Sequence, residues 1–456
     1  MSTQFEHRPD APTDASSGAR PAPSVPDPAA WPGLDRPPSG PRTAVSALVA
    51  RRLFAAAVSR LHVTVHGVGD RPLGLGGPAI TVHRPEEFFA RFGRDALIGF
   101  GEAYLTGAWG EGAPGAGAEG SSELGDFLAV LAAEMPTLVP APLQRARAAV
   151  VRRPPKAHEN TERQTRGNIA HHYDLSNDLF AAFLDPTLSY SSALFDAPQE
   201  RAVDGVGELL RAGDPTPDAD LESAQAAKIE RLLDVTEVGP GTRVLEIGTG
   251  WGELAIRAAA RGASVHSVTL STEQQALARQ RIEAAGHGAA VDVELCDYRL
   301  VDGTYDAVLS VEMIEAVGHE YWSTYFRTID RVLAPGGRVG IQAITMPHDR
   351  MLATRRTYTW INKYIFPGGF LPSVQVLDEV TRADTDLRLT GRLSMGRHYA
   401  ETLRQWDRRA DAAAEEVLGL GFDETFLRMW HFYLEYSRAG FASGYLDVNQ
   451  LLFTRP

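Results

Sequence analysis

Cysteine is almost missing from this chain: Cys296 is the one thiol in 456 residues. That excludes an intrachain disulfide and a cysteine-based metal cluster, and it fits a reducing compartment. Long apolar runs are missing as well; none approaches the roughly eighteen residues a membrane-spanning helix needs. The N-terminal stretch is rich in Pro, Ala and Ser without an apolar segment, so it does not read as a secretory signal. Positive charge is in deficit, with a formal net charge of −13, which argues against a general nucleic-acid binder. His319 and His348 have no carboxylates at metal-ligand spacing, so no metal is expected. No internal repeat is found.

What is present is an ordinary soluble composition, 44% hydrophobic and 23% charged. The length suits more than one globular unit plus a tail. Residues 1–42, rich in Pro, Ala, Ser and Asp without a hydrophobic period, are expected to be a disordered tail. Residues 43–140 read as a small α+β unit. It has helices at Ala44–Leu61, Glu86–Phe100 and Ser122–Ala133, strands at His62–His66 and Ala79–Val82, and a flexible Gly110–Gly120 loop. Residues 141–167 form a basic linker; Arg145, Arg147, Arg152, Arg153 and Lys156 lie there among apolar neighbours. Such a stretch suits either an anionic membrane surface or a solvated connection.

From residue 168 to 456 the pattern becomes strands alternating with helices. Strand-like runs fall at Arg243–Ile247, Ser264–Leu270, Val291–Leu295, Tyr305–Val311 and Arg338–Thr345, with helical stretches between them. This predicts an α/β fold built on a doubly wound, Rossmann-like parallel sheet. The first strand runs into VLEIGTGWG (244–252), where Gly248, Gly250 and Gly252 allow backbone to approach a ligand. Glycines alone leave a dinucleotide open. Three details turn the reading toward S-adenosylmethionine (SAM). Glu246 stands at the strand end, and the second strand ends in Thr269, Leu270 and Ser271 without the ribose-binding acid of a dinucleotide fold. LAPGG (333–337) then resembles the turn before the fifth strand of class I methyltransferases.

The ordered motifs NIAHHYDLSNDLF (168–180), LSYSSALF (188–195), VLEIGTGWGELA (244–255), VTLSTEQQ (268–275), CDYR (296–299), SVEMIEAVG (310–318) and NKYIFPGGFLPS (362–373), with the Tyr399 region, go further. They resemble the cyclopropane-fatty-acyl-phospholipid synthase and mycolic acid cyclopropane synthase family. GFGEAYLTGAWG (99–110) resembles the N-terminal domain of its larger, phospholipid-acting members. Gln342 and the run 345–369 resemble the actinobacterial branch that makes the 10-methylene precursor of tuberculostearic acid.

The resemblance implies SAM-dependent methylation of the cis double bond of an oleoyl-type phospholipid chain. Loss of a proton then gives a methylene or, in the alternative, a cyclopropane. It implies cofactor contacts from Tyr190, Ser191, Glu246, Gly248, Thr249, Gly250, Gly252, Thr269, Leu270, Gln274, Asp297 and Tyr298. His172, with Tyr173, would line the methyl-transfer centre. A bicarbonate ion would act as base, held by Ser192, Glu315, Gln342, Ile344 and Tyr399. Ser192 and Gln342 stand where the family has cysteine and histidine, though both still hydrogen-bond. Glu315 is then either the orienting acceptor or the direct base, with Tyr399, Gln342 and His172 as the other catalytic candidates. A cytoplasmic enzyme peripheral to the inner face of the membrane is implied, with a separate reductase and self-association left open. A small-molecule N- or O-methyltransferase, or a lipid-binding protein with a vestigial site, are the competing readings.

Overall fold

The computed structural model describes residues 25–112, 122–138 and 176–455. His172, Tyr173 and the basic stretch 142–156 lie outside the described residues.

The N-terminal unit follows the hydrophobic period closely. Helix α1 (Pro41–Val58) leads to β1 (Thr64–His66) and β2 (Ala79–Val82), then α2 (Pro85–Asp95), α3 (Leu97–Leu105), β3 (Trp109–Glu111) and α4 (Glu123–Leu138). The strands form a small sheet in the order β1-β2-β3. The helix expected over 86–100 is two helices, broken where Ala96 takes a φ of 49°. The break turns α3 back so tightly that a Cβ at Gly99 would stand 1.9 Å from the Arg91 carbonyl oxygen, which only glycine tolerates. Gly110 and Glu111, read as the start of a flexible loop, instead continue a strand from Trp109, the three pairing with Thr81, Ile80 and Val82 respectively.

Residues 31–36, expected to belong to a disordered tail, take part in the fold. Leu34 is buried, and the Trp31 indole donates to Asp423 at 2.7 Å. The fully buried Arg91 guanidinium donates to the carbonyls of Gly33, Leu34 and Arg36. A buried guanidinium needs acceptors, and the tail supplies them.

The remaining chain builds a nine-stranded sheet, ordered β4-β5-β11-β12-β10-β9-β6-β7-β8. Its first elements are α5 (Asn177–Phe183), the hairpin β4 (Gln199–Asp204) and β5 (Gly207–Ala212), α6 (Leu221–Val235), β6 (Arg243–Ile247), α7 (Glu253–Ala260), β7 (Ser264–Thr269), α8 (Thr272–Ala284) and β8 (Val291–Leu295). Then follow β9 (Tyr305–Val311), α9 (Ile314–Val317), α10 (Trp322–Val332), β10 (Leu333–Thr345), α11 (His348–Thr354), α12 (Trp360–Tyr364) and α13 (Val374–Asp384). The chain closes with β11 (Arg388–Ser394), α14 (Gly396–Ala412), α15 (Ala414–Gly419), α16 (Glu424–Ala442) and β12 (Asp447–Thr454).

β8, β7, β6, β9 and β10 are parallel neighbours, as the alternating pattern predicts. The other half is mixed: β12 slots antiparallel between β10 and β11, and the β4–β5 hairpin extends the edge. The strand order reverses between β6 and β9, so a crevice opens beyond their carboxyl ends, where such sheets bind ligands.

Two apolar clusters cover the faces of the parallel sheet by themselves, but the 43–140 unit shares its core with the C-terminal helices. One apolar cluster runs from Leu34 and Phe54 through Phe127 to Phe180, Trp406, Trp430 and Val448. Helix α16 is buried on nearly all sides because it packs on α4 and α3 as well as on α14. Polar clamps back this contact. Glu435 accepts from the Gly125 amide at 2.9 Å, and Arg438 pairs with Asp126. His431 bridges Asp407 at 2.7 Å and Glu111 at 3.2 Å.

Candidate active site

The crevice is walled by Tyr190 and Ser191, by Glu246 to Trp251 after β6, by Val268 to Leu270 with Gln274 after β7, by Cys296 and Tyr298 after β8, and by Val311 to Met313 after β9. Most of the residues expected to hold the cofactor therefore come together. Gly248, Gly250 and Gly252 all take positive φ, of 98°, 53° and 92°. A Cβ on Gly248 would stand 2.7 Å from Met313 Cγ, whereas one on Gly250 would meet nothing within 4 Å. The turn is thus packed on one side and leaves bare backbone on the other. Two of the expected set depart: neither Gly252 nor Asp297 lines the crevice, and the Asp297 carboxylate is held by the Arg299 side chain and amide.

Glu246 is the one charged residue in the buried part of its strand, among Val244, Leu245 and Ile247. Its Oε2 accepts from the Ser267 hydroxyl at 2.5 Å, and Ser267 is bonded in turn to Thr249 at 2.7 Å. Burial raises the Glu246 carboxyl to about 8, against the Ser267 bond, which lowers it. Thr269 donates to Gln274, and Ser271 caps α8 at the Gln274 amide. Glu246, Thr249, Thr269 and Gln274 face the crevice as a hydrogen-bonding rim in a mostly apolar lining, which fits an adenosyl group carrying a polar amino-acid tail.

Beyond this rim lies a layer of buried charge. Lys228 comes from α6 and donates to the Ser191 hydroxyl. Burial brings its ammonium down to about 8, although Glu312, Asp185 and Glu253 favour the charged form. Glu312 follows β9 directly, in a left-handed conformation with φ 49° that a glutamate adopts only under constraint. The constraint is visible. Its amide donates to the Gln342 carbonyl at 2.8 Å, and its Oε1 accepts from the Ser192 amide and the Gln342 side chain, both at 2.9 Å. The Tyr399 hydroxyl bonds the same carboxylate. Burial raises the Glu312 carboxyl, opposed by Lys228, Gln342, Ser192 and Tyr399.

Glu315, three residues on, accepts from the Ile344 amide at 2.5 Å, and its other oxygen is buried with no hydrogen-bond partner among the described residues. Burial and then the neighbouring Glu312 lift it to about 8. The five positions expected to hold bicarbonate are therefore together, but their donors are turned on the chain's own carboxylates. Ser192, Gln342 and Tyr399 bond Glu312, and Ile344 bonds Glu315. The Gln342 oxygen is also taken, by Gln450 at 3.0 Å. This donor set does not fit a separate anion.

Aromatic faces border the carboxylates. Tyr190 stacks on Trp406 at 5.2 Å, Trp406 meets Tyr399 edge-on at 6.0 Å, and Tyr399 lies 4.6 Å from Phe441. Trp360 stands apart from this row, packing on Phe432 and against Gly101 of the N-terminal unit.

Lys228 and Glu312 were not singled out from the sequence, yet each left a trace. Lys228 falls on the buried stripe Leu221, Ala224, Ile229 and Leu232, where a charge needs a reason. Glu312 is the first acid of SVEMIEAVG, passed over for the second.

Comparison with known proteins gives a concordant picture. The family model for mycolic acid cyclopropane synthetase matches residues 160–451. The tuberculostearic acid methyltransferase UfaA1 of Mycobacterium tuberculosis is 50% identical over 429 residues, covering 93% of this chain and 95% of its own. The cyclopropane-fatty-acyl-phospholipid synthase of Escherichia coli K12 is 31% identical over 403 residues, covering 87% and 91%. Among solved structures, the cyclopropane synthase MmaA2 from Mycobacterium tuberculosis superposes with a TM-score of 0.55 at 29% identity, over 63% of this chain and 98% of its own. The mycolic acid cyclopropane synthase CmaA1, solved in complex with SAH and CTAB, gives the same figures.

Proposed function

This chain belongs to the mycolic acid cyclopropane synthetase family, and from that premise we propose that it methylates the cis double bond of an unsaturated phospholipid acyl chain. It is a SAM-dependent methyltransferase. The product in this reading is a 10-methylene fatty acyl chain, on the way to 10-methylstearate. The observation that carries it is the 50% identity, over almost the whole of both chains, to a tuberculostearic acid methyltransferase. Cyclopropane formation shares the first step and is the second reading, supported by the Escherichia coli relative.

Bound in the crevice, SAM supplies an electrophilic methyl group. The chain's own part is to hold the alkene in line, exclude water and favour a transient cation. The glycine turn, Glu246, Thr269, Gln274 and Tyr190 are the residues we assign to the cofactor. Tyr190 and Tyr399, backed by Trp406, offer π faces to the cation. Glu315, Gln342 and Tyr399 stand beside them.

The enzyme acts on a lipid, and we place it at the membrane surface. No helix among the described residues is long and apolar enough to cross a bilayer. Helix α1 supports a peripheral contact instead: it has no acidic residue, and it exposes Val45, Leu48, Val49 and Leu53 on one face beside Arg42 and Arg52. Apolar side chains flanked by arginines suit an anionic phospholipid surface. Reduction of a methylene to a methyl branch takes two electrons, which we assign to a separate reductase.

The test is expression in cells rich in oleoyl lipid, with fatty acids analysed by mass spectrometry before and after mild alkene derivatisation. A product heavier by one CH2 that reacts as an alkene is expected. One that resists derivatisation would move the assignment to cyclopropane. No such product would remove both.

A further inference from the structure

Resting on that reaction, we infer that the side chain of Glu312 is the base that takes the proton from the methylated cation. The reaction needs such a group. Once the alkene carbon has bonded the methyl carbon, with the C–S pair left on sulfur, the neighbouring carbon is cationic. A hydride shifts between the two former alkene carbons. A C–H bond of the added methyl then breaks, its electron pair becomes the exocyclic double bond, and the proton needs an acceptor. Without the shift, the same proton loss closes a three-membered ring, so both products use one base.

Glu312 meets the geometric demands better than its neighbours. It lines the cofactor crevice, which Glu315 does not. It sits beside the Tyr399 ring, at one end of the aromatic row that runs through Trp406 to Tyr190, so base and cation share one wall. Ser192, Gln342 and Tyr399 hold its carboxylate from different elements, and Lys228 lies close enough to favour its charged form. A carboxylate has about four lone-pair positions, so accepting these bonds leaves capacity for a proton. Glu315 shares the site as a positioning residue: two buried carboxylates three residues apart do not both ionise readily, and Glu315 lacks the donors that Glu312 has. The left-handed backbone at position 312 is what swings this side chain beneath β10, onto Gln342. The same contacts explain the glutamine at 342: its amide gives an N–H to Glu312 and keeps its oxygen for Gln450.

The consequence is that no dissolved anion is required. Wild-type enzyme, assayed on oleoyl phosphatidylglycerol vesicles with SAM in carbon-dioxide-stripped buffer, is expected to turn over at its ordinary rate. Adding bicarbonate should change nothing. Glu312→Gln should lose about 100-fold or more, the ordinary contribution of a general base. Its SAM affinity by calorimetry and its circular dichroism should be retained. Glu312→Asp should fall between the two, and acetate should partly restore Glu312→Ala. Wild-type activity that collapses on stripping and returns with bicarbonate would overturn the assignment, as would a Glu312→Gln enzyme of near-normal rate. If Glu312→Gln does not fold, the wild-type bicarbonate comparison decides alone. A wild type that methylates no unsaturated lipid overturns the parent reaction and the base together. A competent wild type with an unaffected Glu312→Gln overturns the base only.

Discussion

The hydroxyl of Ser267 donates to the carboxyl of Glu246 across 2.5 Å, at the floor of the crevice and out of reach of solvent. With its pKa raised to about 8 by burial, Glu246 is mostly protonated at neutral pH before a ligand arrives. Donor groups of SAM placed against it would favour the charged form. Binding is therefore expected to release a proton and to tighten, at most tenfold per pH unit, as pH rises toward 8, then to level off. Calorimetry in buffers of different ionisation heat measures that proton. A buffer-independent heat at pH 7 would show that Glu246 keeps its charge state.

The glycine turn separates two kinds of damage. Gly248→Ala drives a methyl into Met313 and forces a left-handed alanine, whereas Gly250→Ala adds only the conformational cost, about 1–2 kcal/mol. Both variants should lose SAM affinity by calorimetry. Gly248→Ala should also melt distinctly lower than Gly250→Ala; equal melting temperatures would contradict the packing against Met313.

His431 ties the N-terminal unit to the sheet. Although burial disfavours its charge, Tyr104, Asp407 and Glu111 raise its pKa well above the ordinary 6.5. A raised histidine stabilises the fold fully below 6.5 and loses that contribution as pH climbs through its raised value. The raised carboxyls of Glu246 and Glu315 act in the same sense between about 4.5 and 8. Thermal stability should therefore fall steadily from pH 6 toward pH 8. His431→Gln, which strands Asp407 beside Glu111, should cost about 3 kcal/mol or more at pH 6. A flat profile would contradict the raised values of His431, Glu246 and Glu315 together, and a His431→Gln cost that does not shrink as pH rises would mean that His431 is neutral in the fold.

How far the sequence foretells this molecule can be seen residue by residue. The five parallel strands and the glycine turn were legible because short apolar runs and positive-φ glycines have few other uses. The β4–β5 hairpin was not. GluArgAlaValAsp (200–204) is mostly exposed, and its partner strand buries only Leu209 and Ala212, three residues apart, so neither carries an apolar alternation to read. The break at Ala96 also escaped, since alanine gives no warning of a left-handed turn. At the site, Glu246, Tyr190 and Gln342 were found by motif. Glu312 was missed because its role depends on a backbone twist and on Ser192 and Gln342, which lie 120 and 30 residues away.

Helix α1 offers a separate test. Leu48 and Val49, more than half exposed, are placed to enter a lipid headgroup layer. Leu48→Glu with Val49→Glu should sharply reduce co-sedimentation with phosphatidylglycerol vesicles while leaving the melting temperature unchanged. Undiminished vesicle binding would remove α1 from the membrane contact.

The shared core around α16 bears on how this chain can be taken apart and recombined. MmaA2 aligns with 63% of it, which invites the picture of a small enzyme with an accessory module attached. Yet Glu435, Arg438 and His431 are satisfied only by Gly125, Asp126 and Glu111 as well as by their own neighbours. A graft that exchanged the N-terminal unit between relatives would have to carry those three helix positions with it. The unit of inheritance here is an interlocked pair of surfaces, and a cut made at the boundary of the family match would pass through the middle of it.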